Sequence, residues 1–454
     1  MWLKYIGRPE YCILSYKDTM KIKFLGAAGT VTGSSYVLTS DFGQAILIDL
    51  GLFQGVEEIE KLNYEPFDYD CSQLTGAILT HAHLDHCGRL PILLPRGFKG
   101  NIYMTAPTRD LTELSLLDSA KIAREDDKKY LYDRNLALKT FKQFVTKKYH
   151  EPFKIGGFTV TMRDAGHILG SASLEISNGG EKIVFSGDLG NYPEALVKET
   201  EMIESADTVV MESTYGDRLH PSEDPAEMVR AEINAVEKSG GTLLIPAFSL
   251  ERTQELMHMI GHLKTEGKIL AQTPVFMDSP MGNKATEIYL NYPELFNAHV
   301  QSELKDGGTF DFPGISYKFI EQSGAKVIIA GSGMMTGGRI LKHAEHYLPM
   351  AATRLLIVGY QGEGTTGREL LEGKRKVVIE GREVVVAAII SETKAMSSHP
   401  DQGQLLTWLK HIRGVKKVFL IHGEDGPREI LAKKISEDLG IGDVVRPKLN
   451  QETS

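Results

Sequence analysis

The sequence predicts an α/β protein organised in two units, on three observations. At 454 residues the chain exceeds the roughly 100 to 200 residues that one ordinary core serves. From Lys21 to about Asp207, short apolar strands at "QAILIDL", "GAILT", "GNIYMT", "FTVTMRD" and "KIVFSGD" alternate with loops and helical stretches, the pattern of α/β or layered α+β. From "GGTLLIPAF" onward, continuous apolar strands at "TPVFMD", "AKVIIAGSG" and "TRLLIVGYQ" are separated by helical segments at "ERTQELMHMIGHLK" and "GGRILKHAEHYL". Strands of that kind belong to parallel βαβ units covered on both faces, so a separate doubly wound domain is expected here.

The remaining stretches fill in the frame. "EVVVAAIISETKAMSSHPDQGQLLTWLKHI" and "KKVFLIHGEDGPREILAKKISEDLG" return to strand, helix, strand, helix. The segment from about Ala120 to His150, rich in Lys, Arg, Asp and Leu, reads as solvated helix. The opening "MWLKYIGRPEYCILSYKDT" lacks the apolar core and small-residue cleavage site of a signal peptide, so a cytoplasmic location is expected. Its irregular pattern stops where "MKIKFLGAAG" begins a clean strand at Met20, and residues 1–20 are expected to be an extension or the product of an upstream start codon.

Composition narrows the class. With 42% hydrophobic and 24% charged residues, and no window near the roughly 18 uninterrupted apolar residues of a membrane helix, a soluble chain is expected. A net charge of −9 speaks against a broad polyanion-binding surface, since nucleic-acid modules are often basic, but leaves room for a local cationic groove. Cys12, Cys71 and Cys87 are odd in number and form no CxxC pair, which suits a reducing compartment and plain buried thiols.

The chemistry concentrates in "ILTHAHLDHCGRLPILL", residues 78–94, where His81, His83, Asp85 and His86 fall within six positions after an apolar run. On an extended strand end, alternate residues point the same way. His81 and His83 can therefore converge while Asp85 and His86 reach a neighbouring point, an arrangement that fits two metals better than one. Imidazole and carboxylate suit zinc, with manganese or iron as other occupants. Three more ligand-type residues stand at strand ends beside glycine: His167 in "DAGHILGSAS", Asp188 in "VFSGDLG" and His422 in "VFLIHGE", positions where loops commonly carry chemistry. Together they make seven candidate ligands.

"HAHLDH" followed in order by "GHILGSAS", "SGDLG" and "LIHGE" resembles the metallo-β-lactamase superfamily, with its HxHxDH motif and αββα sandwich. "MESTYGDRLH", "MSSHPDQ" and "LIHGE" resemble the three extra motifs of the β-CASP nuclease branch, which contains the cleavage and polyadenylation endonuclease subunit and its bacterial and archaeal relatives. The resemblance covers residues 21 to 445. It implies a lactamase domain over 21–213, an inserted β-CASP domain over 214–378 with the doubly wound parallel sheet, and the rest of the lactamase domain over 379–454.

By the same resemblance His81, His83 and His167 hold one zinc ion, Asp85, His86 and His422 a second, and Asp188 bridges them. Asp49 in "LIDLGLFQG" matches a motif aspartate that orients a ligand histidine; read alone it is a strand-end turn residue. His399 in "SSHPDQ" is the candidate general acid, and Glu212 in "ESTYGD" holds its imidazole protonated. Read alone, Glu212 is an ordinary strand-end carboxylate.

Two metals about 3.5 to 4 Å apart can generate hydroxide near neutral pH and steady both the attacking and the leaving oxygen, which suits phosphodiester hydrolysis. Endonuclease and 5′ to 3′ exonuclease action share this centre in the resembled family. His422 favours single-stranded RNA over DNA, since DNA-processing members tend to carry valine there, and a homodimer is expected by analogy.

The inserted domain is expected to bind phosphates. Arg252 in "AFSLERTQEL" offers a planar fork. Ser332 lies in "AGSGMMTGGR", a glycine-rich link between strand and helix where amides can face an anion, though without the GK[ST] ending of a Walker motif. Two rival readings are a thioester or lactam hydrolase and a catalytically silent RNA-binding scaffold. The inserted domain with Glu212 and His399 has no evident purpose in the first. The complete ligand set opposes the second, which a metal assay checks.

Overall fold

The computed structural model describes residues 20–125, 130–305, 324–362 and 364–453. Residues 1–19, with Cys12, lie outside the described residues; Met20 opens the first strand.

Two seven-stranded sheets face one another. The first runs, edge to edge, Glu452–Thr453, Met20–Phe24, Tyr36–Ser40, Ala45–Ile48, Leu74–Ile78, Asn101–Met104 and Phe144–Thr146. The second runs Asp443–Val445, Lys417–Ile421, Thr208–Glu212, Lys182–Phe185, Ala172–Ser177, Phe158–Asp164 and Phe153–Ile155. Alternation drives their packing: every second residue of Phe158–Asp164 is buried, which gives each sheet one apolar face. Ile22, Phe24, Ile46 and Ile48 of the first sheet thereby meet Phe158, Met162, Leu174 and Phe419 of the second in one core. Helix Ala106–Glu125 covers the outside of the first sheet, with Leu116 and Ala120 packed on Leu47, Ala77 and Met104. Helices Gln402–His411 and Asp425–Leu439 cover the second through Leu405, Trp408, Leu431 and Ile435. The four layers are those of an αββα sandwich.

A third sheet of five strands has the order Val275–Asp278, Lys326–Ala330, Thr242–Pro246, Arg354–Ile357 and Ile389–Glu392, with all its pairs parallel. Its central strands are apolar after their first residue and almost wholly buried, because both faces are covered. Helices Pro225–Ser239 and Arg252–Thr265 lie on one side, and helices Arg339–Tyr347 and Thr366–Leu371 on the other. The chain leaves the second sheet at Glu212 and returns at Lys417, and these two strands are parallel neighbours with Glu212 opposite Ile421. The third sheet therefore grows out of one gap between adjacent strands.

Two stretches differ from the sequence reading. Ile389–Glu392 pairs with Arg354–Ile357, so by hydrogen bonding it joins the third sheet although it lies past residue 378; a half-exposed edge strand carries little apolar patterning to announce its sheet. The charged stretch 120–150 is also only partly helical. It ends helix Ala106–Glu125, forms the short helix Arg134–Thr140, and closes with strand Phe144–Thr146 on Asn101–Met104. There the aromatic and β-branched "FVT" outweighs the charged surroundings. Cys71 and Cys87 are free and buried, and among the described residues no helix is long and apolar enough to cross a membrane.

Candidate metal centre

Seven ligand-type side chains converge where the two sandwich sheets open beside the third sheet. His81 and His83 follow strand Leu74–Ile78, and His83 is the N-cap of the short helix Leu84–Cys87 that carries Asp85 and His86. His167 sits in the turn between strands Phe158–Asp164 and Ala172–Ser177. Asp188 follows Lys182–Phe185, and His422 follows Lys417–Ile421 with a left-handed φ of 46°.

The donors form two groups that share one carboxylate. In the first, His81 Nε2 and His167 Nε2 lie 3.1 and 3.2 Å from His83 Nδ1, and 3.6 and 3.8 Å from Asp188 Oδ2. In the second, His422 Nε2 lies 3.4 Å from Asp85 Oδ2 and 3.6 Å from Asp188 Oδ2, while His86 Nε2 lies 3.2 Å from Asp188 Oδ1. Four ligands at 2.0–2.1 Å in a tetrahedron stand about 3.3 Å apart, so these separations are those of ligands around a shared ion.

Protonation agrees. The carbonyl of Ser398, 3.0 Å away, can only accept from His167 Nδ1, which leaves the Nε2 lone pair facing the group. Burial holds His81 and His167 well below the usual imidazole range and lowers His83 to about 4, so three neutral rings turn lone pairs toward one point. The buried Asp188 Oδ1 makes no well-aligned hydrogen bond, its neighbour being His86 Nε2 at 3.2 Å. Burial opposes ionisation of Asp188, but His422 and His86 outweigh it and hold the acid well below its ordinary range. An ionised oxygen without an aligned donor at such a point, among imidazole nitrogens, fits a divalent cation.

Behind the ligands stands a supporting layer. Asp49, itself at φ 56°, accepts from Thr80 N and Thr80 Oγ1, both at 2.8 Å, and holds His86 Nδ1 at 2.8 Å. Thr80 Oγ1 also lies 3.1 Å from His81 Nδ1, so one aspartate and one threonine orient ligands of both groups. Burial opposes the charge on His86, yet Asp188 and Asp49 raise its pKa well above normal.

Next to this cluster lies a carboxylate–imidazole pair. His399 Nδ1 is 3.1 Å from both carboxylate oxygens of Glu212, and its ring centroid is 4.6 Å from that of His167 and 5.5 Å from that of His422. Burial works against its charge, but Glu212 overrides this and raises it to about 9. Thr214 connects the parts: its Oγ1 donates to Glu212 at 2.7 Å and lies 3.1 Å from His422 Nδ1. His220 Nε2 meets the His399 carbonyl at 2.9 Å. Thr80, Thr214 and His220 escape the sequence reading, although Thr214 and His220 stand inside "MESTYGDRLH" and Thr80 directly precedes "HAHLDH".

Arg252 and Ser332 fare differently from expectation. Arg252 is buried at the start of its helix; its guanidinium pairs with Glu255 and donates from Nη2 to Ser398 Oγ at 2.7 Å. It therefore braces the segment next to His399. Ser332 Oγ bonds within its own loop, to Thr336 N at 3.2 Å, and the N–H of Ile340 in the helix that follows is taken by the Gly331 carbonyl at 2.8 Å. One amide expected to face an anion is thus already engaged.

Three comparisons place the chain among known proteins. The Metallo-beta-lactamase superfamily profile matches residues 28–229, the Beta-Casp domain profile residues 253–370, and the Zn-dependent metallo-hydrolase RNA specificity domain profile residues 383–447. Ribonuclease TTHA0252 of Thermus thermophilus is 35% identical over 92% of this chain and 96% of its own length. RNase aCSPSF2 of Saccharolobus solfataricus is 31% identical over 95% and 85%, and transcription termination factor FttA of Methanosarcina mazei 30% over 97% and 72%. A solved structure from Enterococcus faecalis V583, of a protein of unknown function, aligns with a TM-score of 0.53 over 96% of this chain and 99% of that one, at 12% identity, a likeness of fold alone. With its two ligand groups around Asp188 and these matches along its length, the chain belongs to the metallo-β-lactamase superfamily, in the ribonuclease branch that carries a Beta-Casp domain.

Proposed function

We propose that the protein is a metal-dependent ribonuclease that hydrolyses phosphodiester bonds of single-stranded RNA in RNA processing or decay. The observation that carries this reading is the juxtaposition of two imidazole–carboxylate ligand groups with the Glu212–His399 pair, whose ring lies against ligand rings of both groups. His81, His83 and His167 hold one ion, Asp85, His86 and His422 the other, and Asp188 serves both. Zinc suits a set dominated by imidazole, and manganese is the alternative. Bound there, the two ions acidify water and neutralise charge on the phosphoryl group.

The chain's own residues supply the rest. His399, kept protonated at neutral pH by Glu212, donates a proton to the departing ribose oxygen, which is a poor leaving group as an alkoxide. Arg252 fixes the Ser398 side chain, and the Ser398 carbonyl in turn orients His167. Residues 214 to about 392 form the insert that presents RNA to this centre; residues 20–213 and those following the insert form the hydrolase. A cytoplasmic homodimer completes the reading, and light scattering checks the oligomer.

The test incubates zinc-loaded protein with a 5′-labelled single-stranded RNA and the matching DNA. Metal-dependent RNA cutting that collapses in His399→Ala, with metal content unchanged, is expected, and the product ladder separates internal cuts from terminal digestion. Failure to cut either polymer with both ions bound would refute the reading in favour of a small-molecule hydrolase.

A further inference from the structure

Well away from the cleft, three side chains on two helices of the insert converge on one point, and a fourth, His299, touches the carboxylate among them. His258 and His262 are four residues apart on helix Arg252–Thr265, and His299 and Glu303 four apart on helix Ala298–Lys305; this spacing puts each pair on one helical face. His258 Nε2 lies 3.0 Å from Glu303 Oε2, and His262 Nε2 and His299 Nε2 each lie 3.1 Å from Glu303 Oε1. His258 Nε2 and His262 Nε2 are themselves 3.1 Å apart. Two nitrogens at that distance cannot both carry a proton on the shared side, so at least one turns a lone pair inward. From these contacts we propose that His258, His262 and Glu303 bind an additional transition-metal cation of the zinc, nickel or cobalt class, independent of the catalytic pair, with His299 beside the open face of the site.

The donors select the class. Two imidazoles and one carboxylate suit borderline cations, whereas magnesium and calcium take oxygen ligands. Separations of 3.0 and 3.1 Å are close to the roughly 3.3 Å edge of a tetrahedron with ligands at 2.0–2.1 Å. Access is open, because His258 is the most enclosed of the four at 12% side-chain exposure while His299 is 74% exposed. The site is distinct from the cleft: His258 and His262 stand about 9 and 15 Å along the helix from Arg252, at 1.5 Å per residue.

The ion fastens a seam. Helix Ala298–Lys305 sends Val300 into an apolar cluster with Tyr289 and Phe296 of the insert and Ile168, Leu169, Leu196 and Val197 of the hydrolase, and Val197 bridges to Phe296. The other helix begins at Arg252, which braces Ser398. A cation joining the two helices ties the insert's foothold on the hydrolase to the segment beside the centre.

The experiment counts metal in the full-length protein after chelation, reloading with zinc alone and gel filtration, using plasma mass spectrometry. The parent is compared with His262→Ala/His299→Ala and with Glu303→Gln, changes confined to half-exposed or exposed side chains. Both variants are expected to hold one zinc fewer than the parent, to lose part of the zinc-dependent rise in Tm, and to keep cutting labelled RNA in excess zinc. Equal counts in all three proteins would overturn the proposal and leave an ordinary imidazole–carboxylate hydrogen-bond group. The readout is a difference in stoichiometry, so it stands or falls apart from the nuclease reading.

Discussion

Gly51→Ala should remove one metal ion through a backbone atom, with no ligand replaced. Gly51 lies against the helix that carries Asp85 and His86: its neighbours Leu50 and Leu52 donate to the carbonyls of His86 and Leu84 at 2.8 and 2.7 Å, and its own N–H reaches the Ser34 carbonyl at 2.9 Å. A methyl group added at Gly51 would stand 1.5 Å from the Asp85 carbonyl oxygen and 2.6 Å from His86 N, where real contacts keep at least 3.0 Å. The Asp85–His86 peptide must therefore retreat by about 1.5 Å, whereas metal–ligand distances hold within about 0.2 Å. Asp85 and His86 both serve the group with His422, while His81 and His167 stand on other peptides. The expected result is loss of one ion relative to wild type. Losing several kcal/mol of transition-state stabilisation means about 100-fold or more in rate at ~1.4 kcal/mol per decade. Metal counting, cleavage of 5′-labelled RNA and a thermal melt that remains cooperative make up the assay. A full ion count with unaltered cleavage in the alanine variant would show that the close approach does not govern the site.

Other outcomes follow from the same geometry. Asp49→Asn, which removes the carboxylate behind His86, should weaken metal affinity about 10- to 100-fold, read by titration against a competing chelator; unchanged affinity would deny it an orienting role. Chelation should lower Tm, since an ion at a hundred times its Kd stabilises by about 2.7 kcal/mol, and calorimetry with and without zinc measures the difference. Glu251, buried beside Tyr289 OH at 2.7 Å, is raised from 4.5 to about 8 by burial and by Glu255. A raised folded pKa means that the folded state holds the proton more tightly. The contribution of Glu251 is therefore fully present below pH 4.5 and is lost as pH rises through 8, so Tm should fall across that window and Glu251→Gln should flatten the slope. Parallel melting curves for both proteins would argue against it.

What the sequence discloses is what the chain keeps local. His81, His83, Asp85 and His86 crowd into six positions, and His167, Asp188 and His422 stand at strand ends beside glycine, so the ligand groups can be read before any coordinates. Thr80 and Thr214 cannot, because a threonine matters here only through partners 31 and 208 residues away, Asp49 and His422. Arg252 reads as an open cation until its helix is packed against Ser398, 146 residues on. Gly51 is invisible for a similar reason: its lack of a side chain counts only once the Asp85 peptide lies against it. The sheet that strand Ile389–Glu392 joins stays hidden, because an exposed edge carries little apolar periodicity to assign it.

The pairing of Asp85 with His422, 337 positions apart, has a consequence for how the protein is made. At roughly 5 to 20 residues per second, a ribosome completes His81, His83 and His167 early, then works for roughly 12 to 46 s before His399 appears and slightly longer before His422 does. In that interval the group of Asp85, His86 and Asp188 lacks His422, and Glu212 lacks His399. The second ligand group and the carboxylate–imidazole pair therefore close only when the late part of the chain has folded back onto the early part.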